Sequence, residues 1–409
     1  MMKSNRWKNA IIGVIVLMFA GMIYAWSVLA APIAQEFPVW TKAQLSLTFT
    51  LVMILFCLGQ LICGVLSKKM SVKVNLWISA VLFLMGFVIT SKMHSLIVLY
   101  ISFGIICGLS SGLSYNGVLS TVIKWFPDKK GLISGILLMG FGIGSFIIGK
   151  VYQAYTPADI GGWRSSFVVM GITSFIVLLV CGYFIKKPPE NYVPPVNEKT
   201  TMKRNDVGLD VNAAVMLKES AFWIYYVWVI AMSAAGLAII SQAVGMIKEI
   251  GPDITPGDIA TLVGMISISN GVGRVITGGM YDRLGRKIAM NMVNTLFILT
   301  AVFMMLALNN SSLIVLVVGF ITTGLAYGGV PTCNSAFISS TFGPSNYPVN
   351  FPIVNTVLIF ASFSSIIAGG LYDSSQSYMS TFILILGLAV VGIICSFGIA
   401  IRAKKLFEK

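Results

Sequence analysis

The sequence predicts an all-α membrane protein: twelve transmembrane helices in two repeated six-helix bundles, with both termini cytoplasmic. Three observations predict it. Of the 409 residues 57% are hydrophobic and only 10% charged, where an ordinary soluble domain carries about 25% charged residues. Apolar runs close to the roughly 20 residues that span a bilayer recur along the whole chain. Segments of the first half return in the second at a nearly constant offset.

The first run, 10–31, is long enough to span. It continues into Pro32 without a small-residue cleavage site, which argues against a signal peptide. Runs at 45–66, 74–91, 96–123, 131–153 and 165–186 complete a first bundle within 1–187. Residues 188–217 are polar and proline-bearing, as expected of a cytoplasmic linker whose role is that of a tether. The second bundle, 218–409, holds runs at 220–247, 259–280, 288–308, 312–340, 350–371 and 379–401. Within the fifth run a stripe of Gly135, Gly140, Gly142, Gly144 and Gly149 points to close helix contact.

Charge follows this topology. The net charge is +14, and 22 of the 28 Lys and Arg fall on the predicted cytoplasmic side, 5 outside, with Arg274 alone at membrane depth. The positive-inside rule accounts for that asymmetry, so basicity calls for no nucleic-acid partner. The six cysteines all lie in apolar runs without a CxxC pair, and His94 is the single histidine. Neither a disulfide framework, a metal site, a cofactor nor a catalytic constellation is expected, and hence no enzyme.

Arg274 carries the functional expectation. It lies in 259–280 with no acidic residue between Asp258 and Asp282. An arginine in a membrane helix costs about 2.5–3.5 kcal/mol on insertion scales. Asp282 is eight residues on, roughly 12 Å along a helix, too far for a direct pair. A guanidinium fork for a substrate carboxylate is one reading; capping of backbone carbonyls or snorkelling is the other. Asn270, one turn earlier on the same face, is placed to orient the guanidinium or to donate to the same carboxylate. Tyr115 and Tyr327 sit at equivalent places in the two halves and are candidates for a cavity wall; Tyr24 and Trp26 in the first helix are weaker candidates, with packing as the alternative. Gln60, Asn116, Gln242 and Asn334 read as interhelical hydrogen-bonding groups.

Two motifs repeat. Gly112-Leu-Ser-Tyr115-Asn-Gly117-Val118 matches Gly324-Leu-Ala-Tyr327-Gly-Gly329-Val330 at an offset of 212. Gly64 to Lys73 matches Gly278 to Lys287 at 214, and the second copy has the form GxxxDRxGRK. Parallel six-helix halves with this loop motif resemble the major facilitator superfamily, and the resemblance implies a substrate site where the halves meet. Gly278, Asp282, Arg283, Gly285 and Arg286 are then the expected gate, with Asp282 latched by a neighbouring helix end. The first copy has Lys68 for the aspartate and Ser71 for the second glycine, so no carboxylate latch is expected there.

Further stretches narrow the resemblance: Tyr24-Ala-Trp26-Ser27, Lys124-Trp-Phe-Pro-Asp-Lys-Lys-Gly-Leu132, Gly162-Trp163-Arg164 and Asn270-Gly-Val-Gly-Arg274. Together they resemble the oxalate/formate antiporter family, which is related to the monocarboxylate transporters. The resemblance implies that Arg274 binds the substrate carboxylate and that Tyr115 and Tyr327 line the cavity. The family's oxalate transporter adds a lysine in the eleventh helix; here that helix reads Asn350-Phe-Pro-Ile-Val-Asn355 and onward without Lys or Arg, and Asn355 stands as a site candidate in its place. One fixed cation fits one negative charge. The expected function is therefore secondary transport of a small carboxylate anion such as lactate, pyruvate, formate or acetate by alternating access. No carboxylate or histidine lies at mid-depth, which favours substrate exchange, with proton symport as the close rival. A channel, an anion sensor and an oxalate exchanger are the alternatives. A monomer in a prokaryotic plasma membrane is expected.

Overall fold

A computed structural model describes residues 2–157, 159–189, 192, 209–251 and 253–407; the linker's 193–208 lie outside the described residues. In chain order the helices are α1 (Met2–Ala20), α2 (Trp26–Glu36), α3 (Lys42–Leu66), α4 (Val72–Ser91), α5 (Leu96–Leu99), α6 (Gly108–Val122), α7 (Lys130–Tyr155) and α8 (Trp163–Phe184). They continue as α9 (Ala213–Met216), α10 (Ser220–Ile250), α11 (Pro256–Leu284), α12 (Arg286–Asn309), α13 (Leu313–Thr341), α14 (Tyr347–Asn355), α15 (Val357–Ala361), α16 (Phe363–Ser375) and α17 (Met379–Phe407). No strand occurs among the described residues.

Among the described residues eleven segments are long and apolar enough to cross a membrane. The sequence predicts twelve, and α11, the 29-residue helix over the predicted span 259–280, is not among those eleven. Its start is nonetheless well defined: the Thr255 hydroxyl accepts from the backbone N–H of Asp258 at 3.2 Å, and Pro256 opens the first turn. Thr41 does the same for α3 in a full capping box with Gln44.

Three predicted spans are interrupted rods. A 3-10 turn, Gly21–Ala25, joins α1 to α2, and the Ser111 hydroxyl donates to the Ala20 carbonyl at that join, at 2.7 Å. A π-helical stretch, Tyr100–Cys107, joins α5 to α6. The eleventh span breaks at Thr356 and Ser362 into α14, α15 and α16. Pro352 lies inside α14, has no N–H to offer the carbonyl four residues back and crowds it. That carbonyl belongs to Pro348, and Asn116 fills it from α6 through Nδ2 at 2.8 Å.

The described residues form two compact units. One comprises those within Met1–Pro127, Gly140–Pro195 and Tyr347–Ile353; the other comprises those within Asp128–Met139, Val196–Asn346 and Val354–Lys409. In the first, Phe87, Phe103 and Phe167 meet at centroid distances of 5.6–6.1 Å to form an aromatic core, with Trp163 against Phe167 at 5.1 Å. In the second, Tyr225 stacks on Phe337 at 3.7 Å, beside Trp228. The repeat is visible in packing. Gly59 and Gly112 bring α3 and α6 into backbone contact, as Gly273 and Gly324 bring α11 and α13. The end of the linker is more than a loose tether: Val211 N–H donates to the Phe342 carbonyl at 3.2 Å, and Asn212 caps α9.

Candidate functional site

Arg274 is 9% exposed, in the middle of α11. Its Nε donates to the Asn270 side-chain oxygen at 2.9 Å, as the one-turn spacing foretells. Its Nη1 donates to the main-chain carbonyl of Leu138 in α7. These two acceptors are neutral, an amide oxygen and a main-chain carbonyl, as the carbonyl-capping reading expects. The α7 backbone reaches this depth because Gly135 has no side chain; a Cβ there would collide with the Arg274 carbonyl oxygen.

Tyr327 stands beside this pair. Its ring lies on Gly236 of α10, where a Cβ would strike it. The next residue, Gly328, packs against the Asn270 carbonyl. Three of the residues expected from sequence, Arg274, Asn270 and Tyr327, are thus brought together. Asn355 ends α14, where its side-chain oxygen accepts from Asn334 Nδ2 at 2.8 Å. One residue on, at the break, Thr356 shares a 2.7 Å hydrogen bond with Tyr226.

The other expected residues belong to the first unit. Tyr24 and Tyr115 both meet Phe141 edge-on, at 5.3 and 4.9 Å, and Tyr115 also meets Phe56 and Phe351. Trp26 is buried, with its indole N–H on the Leu45 carbonyl at 3.0 Å and its ring on Phe103 at 4.6 Å. That placement fits the packing alternative. Sequence reasoning missed Leu138 and Phe141, and named Gly135 only as part of the stripe expected to make close helix contact. A main-chain carbonyl leaves no residue signature; the glycine stripe around Phe141 was the available signal.

The loop motif forms a cap. Asp282 accepts from the backbone N–H groups of Gly131 and Leu132, at 2.8 and 2.7 Å, at the N-terminus of α7. Gly278 and Gly131 meet backbone to backbone. Lys130 donates to the Ser339 carbonyl at 3.0 Å. Gly285 has φ +85°, the left-handed region that glycine tolerates, and turns α11 into α12. Arg286 lies over Phe337 at 5.7 Å, and Arg283 is exposed. Asp282 lies past the apolar stretch 259–280. Burial pushes its carboxyl up to about 6, against the two N–H groups and Lys130. In the first half Gly64 packs instead on the Pro348 carbonyl, and Ser71 serves as the N-cap of α4.

The family model described as Major Facilitator Superfamily matches residues 11–358 and 227–406. The chain belongs to the Major Facilitator Superfamily. Among superfamily relatives, an uncharacterized MFS-type transporter, YhjX, of Escherichia coli K12 is 24% identical over 86% of this chain and 84% of its own length. The oxalate:formate antiporter of Oxalobacter formigenes is 24% identical over 87% of this chain and 83% of its own. Mouse monocarboxylate transporter 12 is 31% identical over 35% of this chain and 29% of its own. Among solved structures, the proton:xylose symporter XylE matches with TM-score 0.74 at 13% identity, over 97% of this chain and 95% of that one. FucP, in its outward conformation, matches with TM-score 0.65 at 12% identity over 96% and 98%. Those likenesses establish the all-helical superfamily fold. The protein is a multi-pass membrane transporter of this superfamily.

Proposed function

We propose that the protein carries small monocarboxylates, such as lactate, pyruvate, formate or acetate, by alternating access, with Arg274 as the carboxylate-binding group. The observation that supports this most is the buried Arg274 guanidinium, oriented by Asn270 within the predicted span 259–280. A planar guanidinium offers a substrate carboxylate a bidentate, charge-assisted pair, and a site of low polarity strengthens it. Asn270 holds Nε so that the fork is oriented in advance, and Tyr327 is read as a wall of the same cavity. Neutralisation lowers the cost of closing the site around the substrate, which favours exchange of loaded states. The carrier is read as two bundles, 1–187 and 218–409, working as a monomer in a prokaryotic plasma membrane with both termini cytoplasmic.

A second reading is oxalate/formate exchange. The relative so named aligns over 87% of this chain. The absence of Lys or Arg from the eleventh span weighs against a dianion.

Labelled-anion uptake into proteoliposomes separates these readings. Lactate or formate uptake stimulated by internal unlabelled substrate is expected, with oxalate transported poorly. Uptake driven only by an inward proton gradient replaces exchange with symport. Efficient oxalate exchange overturns the one-cation argument. Arg274→Lys and Arg274→Ala should reach the membrane normally and lose at least about tenfold in uptake, because the bidentate fork or the charge itself is gone. Wild-type uptake in Arg274→Ala sinks the assignment.

A further inference from the structure

One corner of the first unit gathers lysines and aromatic rings that the transport reading leaves unused. Lys73, in the first turn of α4, places Nζ 4.5 Å from the Trp77 ring and 4.9 Å from the Tyr183 ring. Tyr183 meets Phe184 edge-on at 5.3 Å, and Lys8 of α1 places Nζ 5.3 Å from Phe184. Two ammonium groups therefore bracket a ledge of three exposed rings: Trp77 at 37%, Tyr183 at 61% and Phe184 at 48%. The ledge is held in place. Trp77 donates its indole N–H to the Leu179 carbonyl at 3.1 Å, and its ring lies over Gly182, where there is no side chain to displace it. Asn9 accepts from the Lys186 backbone N–H at 2.8 Å, which brings exposed Lys186 and Lys187 to the same end of α1 and α8. Among the described residues none of these four lysines forms a salt bridge.

We propose that this ledge binds the phosphate of an anionic glycerophospholipid in the cytoplasmic leaflet. An ammonium has three N–H donors, so one held over an aromatic face keeps its charge and further donors for an anion. Exposed tyrosine and tryptophan mark headgroup depth in a membrane protein. A phosphate is the acceptor that two such cations, at that depth, meet in a bilayer. The positions equivalent by the 214-residue offset are Lys287, Asn291, Phe397 and Gly398, so the second half keeps one lysine and loses the ledge. The cluster is therefore no requirement of the fold or of topology alone. The proposal rests on a cytoplasmic location for this corner and not on the identity of the transported anion.

Native mass spectrometry of the full chain, titrated with phosphatidylglycerol, phosphatidylcholine and glycerol 3-phosphate, tests it. Phosphatidylglycerol is expected to bind more tightly than phosphatidylcholine. Lys8→Gln/Lys73→Gln should weaken phosphatidylglycerol by about 30-fold, roughly fivefold per lysine. Lys8→Arg/Lys73→Arg should bind like the wild type, which separates lost charge from lost structure. Lys287→Gln should leave binding unchanged. Equal binding of the two lipids, or of phosphatidylglycerol to wild type and the Gln double variant, overturns the proposal. Competition by glycerol 3-phosphate at the lipid's own concentration also overturns it, by pointing to a soluble phosphate.

Discussion

Arg274 divides its guanidinium between a side chain and a backbone, and the division is testable. Asn270 accepts from Nε through a neutral oxygen at 2.9 Å. Asn270→Asp places a fixed anion at that point, giving the guanidinium an internal counter-ion. The substrate carboxylate must then compete with a tethered one. We expect at least about a tenfold rise in KM and a higher Tm, since a charge-assisted pair is about twice as strong as a neutral one. Asn270→Ala should also raise KM, but with a lower or unchanged Tm, because the guanidinium loses a partner and gains none. Uptake kinetics and thermal melts on the two variants check this; identical behaviour removes the orienting role. Arg274 and Asn270 were legible in sequence because their spacing of four places them on one helix face. The Leu138 carbonyl was not, since every residue carries one, and only the fold decides which reaches a guanidinium.

The element that organises the site is α7. Its glycines form two patches: Gly131 and Gly135 meet α11, while Gly140 and Gly144 meet α1. Sequence showed the stripe but not that it serves two partners. Gly135→Ala should separate α7 from α11 at Arg274 and cost about 1–3 kcal/mol, because the colliding atom is backbone and cannot rotate away. A wild-type Tm in that variant contradicts the close approach. The start of α7 carries a pH dependence. The Asp282 carboxyl is raised in the folded protein, to about 6, so the folded state holds that proton more tightly than the unfolded chain. This contribution to stability is therefore present at low pH and lost as pH rises through about 6. The wild type should melt higher near pH 5.5 than near pH 7.5, and Asp282→Asn should flatten the difference. The eleventh span shows the opposite limit of sequence reading. Hydropathy gave one helix at 350–371, and Pro352 alone did not reveal that Asn116, far away in the chain, would take over the freed carbonyl.

At the scale of the molecule the repeat reaches further than the two motifs that revealed it. Glu36 accepts from Trp163 Nε1 at 2.7 Å and pairs with Arg164 at 2.5 Å, tying the end of α2 to the start of α8. Arg164 also donates to the Ser91 and Met93 carbonyls. Glu249, 213 residues after Glu36, accepts from Ser377 Oγ at 2.8 Å and from the Tyr378 N–H at 3.1 Å, tying α10 to α17. The carboxylates were visible in sequence, but the partners differ in chemistry, so no motif match could pair the two corners. If the topology read from charge is right, both corners face outward and the basic loop after α11 faces inward. That loop matters for α11, the predicted span that is not among the eleven. With Arg274 buried in it, insertion on that topology would rely on Arg283, Arg286 and Lys287 to hold one end on the inner side. Reporter fusions decide the orientation. A fluorescent protein joined after Lys409 should fluoresce and alkaline phosphatase there should be inactive, whereas phosphatase joined after His94 should be active. The reverse pattern would put the GxxxDRxGRK loop and the lysine ledge outside, and the charge-based topology would fall with it.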